Sequence, residues 1–183
     1  MPQHFNQRFS PAVLQRAASV RVFFFDIDGV FTDGGLLFTE TGETIKRFNT
    51  LDGHGIKLLQ QGGVVPVVIT GRDSAPLRKR LSALGVEHAY FGTEDKGPAA
   101  TDALQRLQLE WSQAAAMGDD WPDLPVMRRV ALACAPANAH PEVQAVAHYS
   151  TQAMGGHGAV REACDLVLQA VGAYDRLLGA YQQ

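Results

Sequence analysis

The chain has 183 residues, enough for one domain with a full core, and is 46% hydrophobic and 19% charged. A formal net charge of −3 offers no electrostatic case for nucleic acid or an anionic membrane surface. Two cysteines are too few for a disulfide framework, no apolar window nears the roughly 20 residues of a membrane span, and residues 1–19 hold no signal-peptide core. A cytoplasmic protein with a single domain over 1–183 is expected.

The first strong element is "RVFFFD" (21–26), an apolar run that ends in Asp26 and, two residues on, Asp28. Next comes "GGLLFTETGETIKRFNT" (34–50), two β-compatible runs about "ETGE", which predicts an inserted hairpin at about 35–48. So small an excursion cannot bury Leu36, Phe38, Ile45 and Phe48 alone, so it either folds against the body or pairs with other subunits. "DGHGIKLLQQ" then predicts a helix and "VVPVVIT" (64–70) a strand. "DSAPLRKRLSALG" predicts a helix that Asp73 or Ser74 can cap and Gly85 stops. Strands "HAYFG" (88–92), "AAAMGDD" (114–120) and "VALAC" (130–134) alternate with helices "GPAATDALQRLQL" and "PDLPVMRRV". Cys134 and Cys164 lie in apolar surroundings and read as buried thiols of a reducing compartment. Alternating helices and continuously apolar strands predict an α/β fold, a Rossmann-like doubly wound parallel sheet with helices on both faces.

In such a sheet, ligands bind beyond the carboxyl ends of the strands. Four polar signals fall there: Asp26 and Asp28; "ITGR" with Thr70, Gly71 and Arg72; "EDKG" with Lys96; and "GDD" with Asp119 and Asp120. Carboxylates gathered at one point raise each other's pKa unless a cation intervenes. Oxygen ligands and few carboxylates suit magnesium, which keeps waters for a phosphate substrate. A hydroxyl, an ammonium and loop amides suit the phosphoryl group itself. One aspartate is then free to attack phosphorus and the other to handle protons. A calcium loop is excluded because "DIDGVFTDGGLL" puts Leu37 where a bidentate glutamate is needed.

"FFFDIDGVFTD", "VVITGR", "EDKG" and "AMGDDWPDLPVM" resemble, in order, the four motifs of the haloacid dehalogenase superfamily of phosphohydrolases. The resemblance implies Asp26 as nucleophile and magnesium ligand, and Asp28 as general acid/base that ligates the metal through its backbone carbonyl. It implies Thr70 and Lys96 as phosphoryl ligands, Asp119 as a metal ligand and Asp120 as its support. Acidic "GDD" and Asp28 argue against a halide-removing member, which needs no metal and lacks the second aspartate. "DGVFTDGGLLFTETGETIKRFNTLDGHGIKLL", "ANAHPEV" and "GGHGAVREACDLVL" are similar, more closely, to the family of 3-deoxy-D-manno-octulosonate 8-phosphate phosphatases of lipopolysaccharide core-sugar synthesis. That resemblance implies no large cap domain, and a homotetramer through the hairpins. Substrate contacts would fall on Asn49, Thr50, Asp52, Gly53, Lys57, Arg72, Arg80 and Lys96, with a C-terminal lid or tail over about 153–183. Two departures stand out: Leu51 replaces a common basic residue, and "GGHG" with His157 replaces "GGRG". A related phosphatase of a nine-carbon keto-deoxy acid phosphate, one of broad specificity, or a non-catalytic partner subunit are the alternatives.

Overall fold

The structure is a computed structural model, and it describes residues 9–40 and 42–182. In chain order the strands are β1 (Val22–Phe25), β2 (Leu37–Thr39), β3 (Gly42–Ile45), β4 (Val65–Ile69), β5 (His88–Tyr90), β6 (Ala114–Met117), β7 (Leu132–Ala135) and β8 (Tyr149–Ser150). The helices are α1 (Pro11–Ala17), α2 (Thr50–Gln61), α3 (Ala75–Leu84), α4 (Lys96–Leu107), α5 (Leu124–Met127), α6 (Pro141–Val146), α7 (Ala159–Ala170) and α8 (Tyr174–Gly179). Six strands form one parallel sheet in the order β5-β4-β1-β6-β7-β8. The chain winds outward from β1 to one edge, then returns through β6 to the other, which is the expected doubly wound α/β arrangement.

β1 lies between β4 and β6, with Val22 in register with both Val65 and Ala114. Its side chains alternate between two cores. Phe23 and Phe25 pack with Ile56 and Leu59 of α2, Leu77 of α3 and Leu166 of α7. Val22 and Phe24 pack with Ala100 and Leu104 of α4, Met127 of α5 and Val143 of α6. Because both faces are covered, every β1 position is apolar and buried. Each fully buried large side chain stabilises the fold by roughly 1.5–3 kcal/mol, so the strand that carries Asp26 is well anchored. α3 ends at Gly85, whose φ of +71° is the left-handed conformation glycine adopts without strain. No helix of the described residues is long and apolar enough to cross a membrane.

Three expectations change. The strand predicted over 114–120 stops at Met117, and Gly118–Asp120 form the loop beyond it. The tail predicted over about 153–183 contains a core helix: α7 buries Val160, Ala163, Cys164, Leu166, Val167 and Leu168 and packs along α2. The helices approach closely because a Cβ on Gly55 of α2 would lie 3.1 Å from the Arg161 Cα. Nor does 155–156 hang loose. The Gly155 N–H donates to Asn138 Oδ1 at 2.8 Å and that of Gly156 to the Val30 carbonyl at 3.0 Å. These bonds seat the segment on the loop after β1.

The hairpin forms as β2 and β3, antiparallel, with residue 41 of its "ETGE" turn outside the described residues. Phe48 packs against the body, whereas Leu37, Phe38 and Ile45 are 55%, 61% and 59% exposed.

Candidate active site

The site grows from the turn after β1. The Ile27 carbonyl accepts from the N–H groups of Val30, Phe31 and Thr32 at 3.2, 2.9 and 3.1 Å. Ile27, Val30 and Phe31 are buried beneath it. The turn sends the two aspartates to different surroundings: Asp26 is almost buried, and Asp28 stays half-buried at the rim. Gly29, at φ +92°, completes the turn, and a Cβ there would lie 2.0 Å from Asp119 Oδ2. Only glycine allows both this backbone conformation and the approach of the Asp119 carboxylate.

Around Asp26 the contacts are short and come from buried side chains. Lys96, the first residue of α4, donates from Nζ to Asp26 Oδ1 at 2.5 Å and to Asp123 Oδ1 at 2.6 Å. The other oxygen of Asp123 accepts from the backbone N–H groups of Asp119 and Asp120 at 3.0 and 3.3 Å. Burial works against the Lys96 ammonium, but Asp26 and Asp123 more than offset it and raise its pKa. Burial, then the Asp123 charge, pushes Asp26 up to about 7 despite Lys96. Burial, then Asp26 and Asp123, pushes Asp119 up to about 8. Oxygens of Asp26, Asp119 and Asp123 all lie within 4.8 Å of one another. One lysine therefore under-compensates three carboxylates, and a hard divalent cation would restore the balance. Both Asp123 oxygens already accept from donors, while no hydrogen bond reaches the Asp119 carboxylate among the described residues. Asp26 and Asp119 are thus the side chains left to hold a metal, with Asp123 orienting Lys96 and the Asp119 loop.

Around Asp28 the contacts come from farther along the chain. The Lys46 ammonium, just past β3, donates to Asp28 Oδ1, and Arg72 Nε lies 3.7 Å from Oδ2. Thr70, directly after β4, is buried, and its Oγ1 accepts from the Arg72 N–H at 3.3 Å. Asp26, Asp28, Thr70, Arg72, Lys96 and Asp119 line one open cleft of about 530 Å³. Pro122 lines it too, and Trp121 stands exposed beside it, its Nε1–H donating to His140 Nδ1 at 3.2 Å.

The other predicted residues fall elsewhere. Asp120 lines the cleft but uses Oδ1 to accept from the Trp121 N–H at 2.8 Å, so it caps the short helix there. The contacts to Lys96 and to the Asp119 N–H are made instead by Asp123, four residues after Asp119, which the "GDD" doublet overshadows. Asp52 is fully buried and accepts from the N–H groups of Gly158 and Arg161 at 3.3 and 2.9 Å. It caps α7, so the substrate contact expected of it is corrected. Asn49 caps α2 by accepting from the Leu51 N–H at 2.8 Å, and Thr50 is the exposed first helical residue. Arg80 turns inward to donate to the Asn49 carbonyl at 3.1 Å, and a Cβ on Gly53 would lie 2.1 Å from its Nη2. Gly53 therefore makes room for a guanidinium. Lys57 is exposed on α2, and none of these last five lines the cleft.

A family model described as haloacid dehalogenase-like hydrolase matches residues 90–162. The 3-deoxy-D-manno-octulosonate 8-phosphate phosphatase KdsC of Yersinia pestis is 45% identical, over 92% of this chain and 88% of that one. The crystal structure of the Yersinia pestis enzyme of that name superposes with a TM-score of 0.89 at 42% identity, covering 91% and 90% of the two chains. The phosphatase of the same name from Moraxella catarrhalis, solved with a magnesium ion, a phosphate ion and a KDO molecule, superposes with a TM-score of 0.89. It is 35% identical, over 92% of this chain and 97% of that one.

Proposed function

This chain belongs to the haloacid dehalogenase superfamily, in the 3-deoxy-D-manno-octulosonate 8-phosphate phosphatase family, and is a phosphoric monoester hydrolase; we propose that it hydrolyses that eight-carbon phosphate itself. The observation that carries the reading is the pairing of Asp26 and Asp28 on one turn, each with its own lysine, at a cleft shared with Thr70 and Asp119. The phosphoryl group lies against Thr70 Oγ1 and the Lys96 ammonium, and Arg72 faces the sugar. Asp26 attacks phosphorus in line, and the bond from phosphorus to the sugar oxygen breaks as Asp28 gives that oxygen a proton. Asp28, now a carboxylate, takes a proton from water, which attacks the aspartyl phosphate and frees Asp26 and inorganic phosphate. Asp26, Asp119 and the Asp28 carbonyl would hold magnesium, which would supply positive charge to the phosphoryl oxygens.

The product is a sugar acid for lipopolysaccharide core synthesis, and two buried thiols suit the cytoplasm. The exposed Leu37, Phe38 and Ile45 support a homotetramer assembled through the hairpins. Phosphate release across a panel of sugar phosphates tests the reading. The eight-carbon keto acid phosphate should lead in kcat/KM with magnesium and fall to background with a chelator. Comparable values across unrelated sugar phosphates would overturn it. Leu51, 56% exposed and without charge, favours a second reading, the nine-carbon acid phosphate or a broader set, and the same panel separates them.

A further inference from the structure

Lys46 is the residue that neither the motifs nor the catalytic assignments absorb. Its side chain is only 2% exposed, unusual for a lysine, and its ammonium ends on Asp28 Oδ1. A lysine is buried this far only where a partner offsets its desolvation. Arg72 approaches the opposite oxygen of the same carboxylate, 3.7 Å away, from a side chain that is 45% exposed. Asp28 is therefore held from two sides, firmly by Lys46 and loosely by Arg72. Lys46 directly follows β3, so the hold on Asp28 is delivered by the hairpin.

We propose that Lys46 is a positioning residue for the reaction: it fixes the direction in which the Asp28 carboxylate points, and so sets whether Asp28 can reach the leaving oxygen. The inference rests on the reading of Asp28 as the acid that protonates the departing alkoxide. Lys46 need not touch substrate. It acts through one oxygen of Asp28, leaving the other, beside Arg72, to face the cleft. By the same geometry a displacement of the hairpin would re-aim Asp28, whereas Asp26, gripped by Lys96 and Asp123, would stay where it is.

The test compares two leaving groups in the first turnover of the full-length, magnesium-loaded enzyme. p-Nitrophenolate departs without a proton, and a sugar alkoxide does not. Lys46→Met should slow the first turnover of the sugar phosphate by about 10²-fold, the scale of one general acid, and that of p-nitrophenyl phosphate by less than about 3-fold. Lys46→Arg, which keeps a cation in reach of Asp28, should recover most of the sugar phosphate rate. Should Lys46→Met fail to fold, Lys46→Gln carries the same comparison. Equal losses with both esters, or no loss, would overturn the inference. Asp28→Asn run in parallel separates the two levels. If it shows the leaving-group dependence and Lys46→Met does not, the positioning role alone falls. If Asp28→Asn shows none, the reading of Asp28 falls and takes the role of Lys46 with it.

Discussion

The two aspartates of one turn are held by opposite kinds of structure. Asp26 is enclosed by the core: Lys96 opens α4, Asp123 precedes α5, and all three side chains are below 10% exposed. Asp28 is served from outside the sheet's core, by the buried side chain of Lys46 just past the hairpin and by the half-exposed Arg72 in the loop after β4. The difference fits two tasks. In the proposed mechanism Asp26 needs one fixed line of approach to phosphorus, and Asp28 needs one oxygen anchored while the other faces the leaving group.

Substitutions on each side test the contrast. The largest effect belongs to Asp26→Asn, which should cut phosphate release on the order of 10⁴-fold or more; a tenth of normal turnover would end the nucleophile assignment. Next is Lys96→Met, which leaves the buried Asp26 and Asp123 carboxylates without their shared cation. Urea unfolding of the metal-free protein should show a loss of about 3 kcal/mol. Arg72→Ala, on the exposed side, should cost less than about 0.5 kcal/mol by the same measurement. Similar costs for the two would erase the distinction between core and rim.

Proton linkage gives the third. Asp26 and Asp119 titrate at about 7 and about 8 in the fold, against an ordinary value of 3.8. Carboxyls raised in the folded state contribute stability that is complete below the unfolded value and lost as pH rises through the folded one. Melts of the metal-free protein should therefore shift down between pH 4 and pH 8, by at least about 3 °C. Magnesium should oppose that shift most at the alkaline end. A flat profile in chelator would mean that the carboxylates are not crowded. The smallest effect on the fold should come from Phe38→Ser with Ile45→Ser. Unfolding should move by no more than about 0.5 kcal/mol, while sedimentation reports smaller species. An unchanged assembly would put the subunit contact elsewhere.

What the sequence makes legible follows from how local each signal is. β1, β4, β5 and β6 are readable because each is an apolar run closed by a glycine or polar residue, and Asp26, Thr70, Lys96 and Asp119 follow as residues just beyond strand ends. The hairpin is readable from "ETGE". α7 is not, because its beginning is a run of glycines and its purpose is to cover α2 across the molecule. Asp52 misleads for the same reason. Its partner Gly158 is 106 residues away, so a cap reads as a ligand. Asp123 had a signal, one helical turn past Asp119, but an adjacent Asp120 is the more visible neighbour. Lys46 had none, since nothing in "ETIKRF" separates a buried lysine from a solvated one.

The contact of Gly155 with the turn after β1 has a consequence for how the protein is made. A Cβ on Gly155 would lie 1.8 Å from the Gly29 carbonyl oxygen, so the two backbones touch with nothing between them. During synthesis, β1 and both aspartates leave the ribosome long before residue 155 does. Until then the turn lacks its backing, and the late-arriving helix α7 has not yet covered α2. A chain still short of residue 155 would carry Asp26 and Asp28 on a turn without that contact. The turn that carries both aspartates is thus finished by backbone supplied from far along the chain.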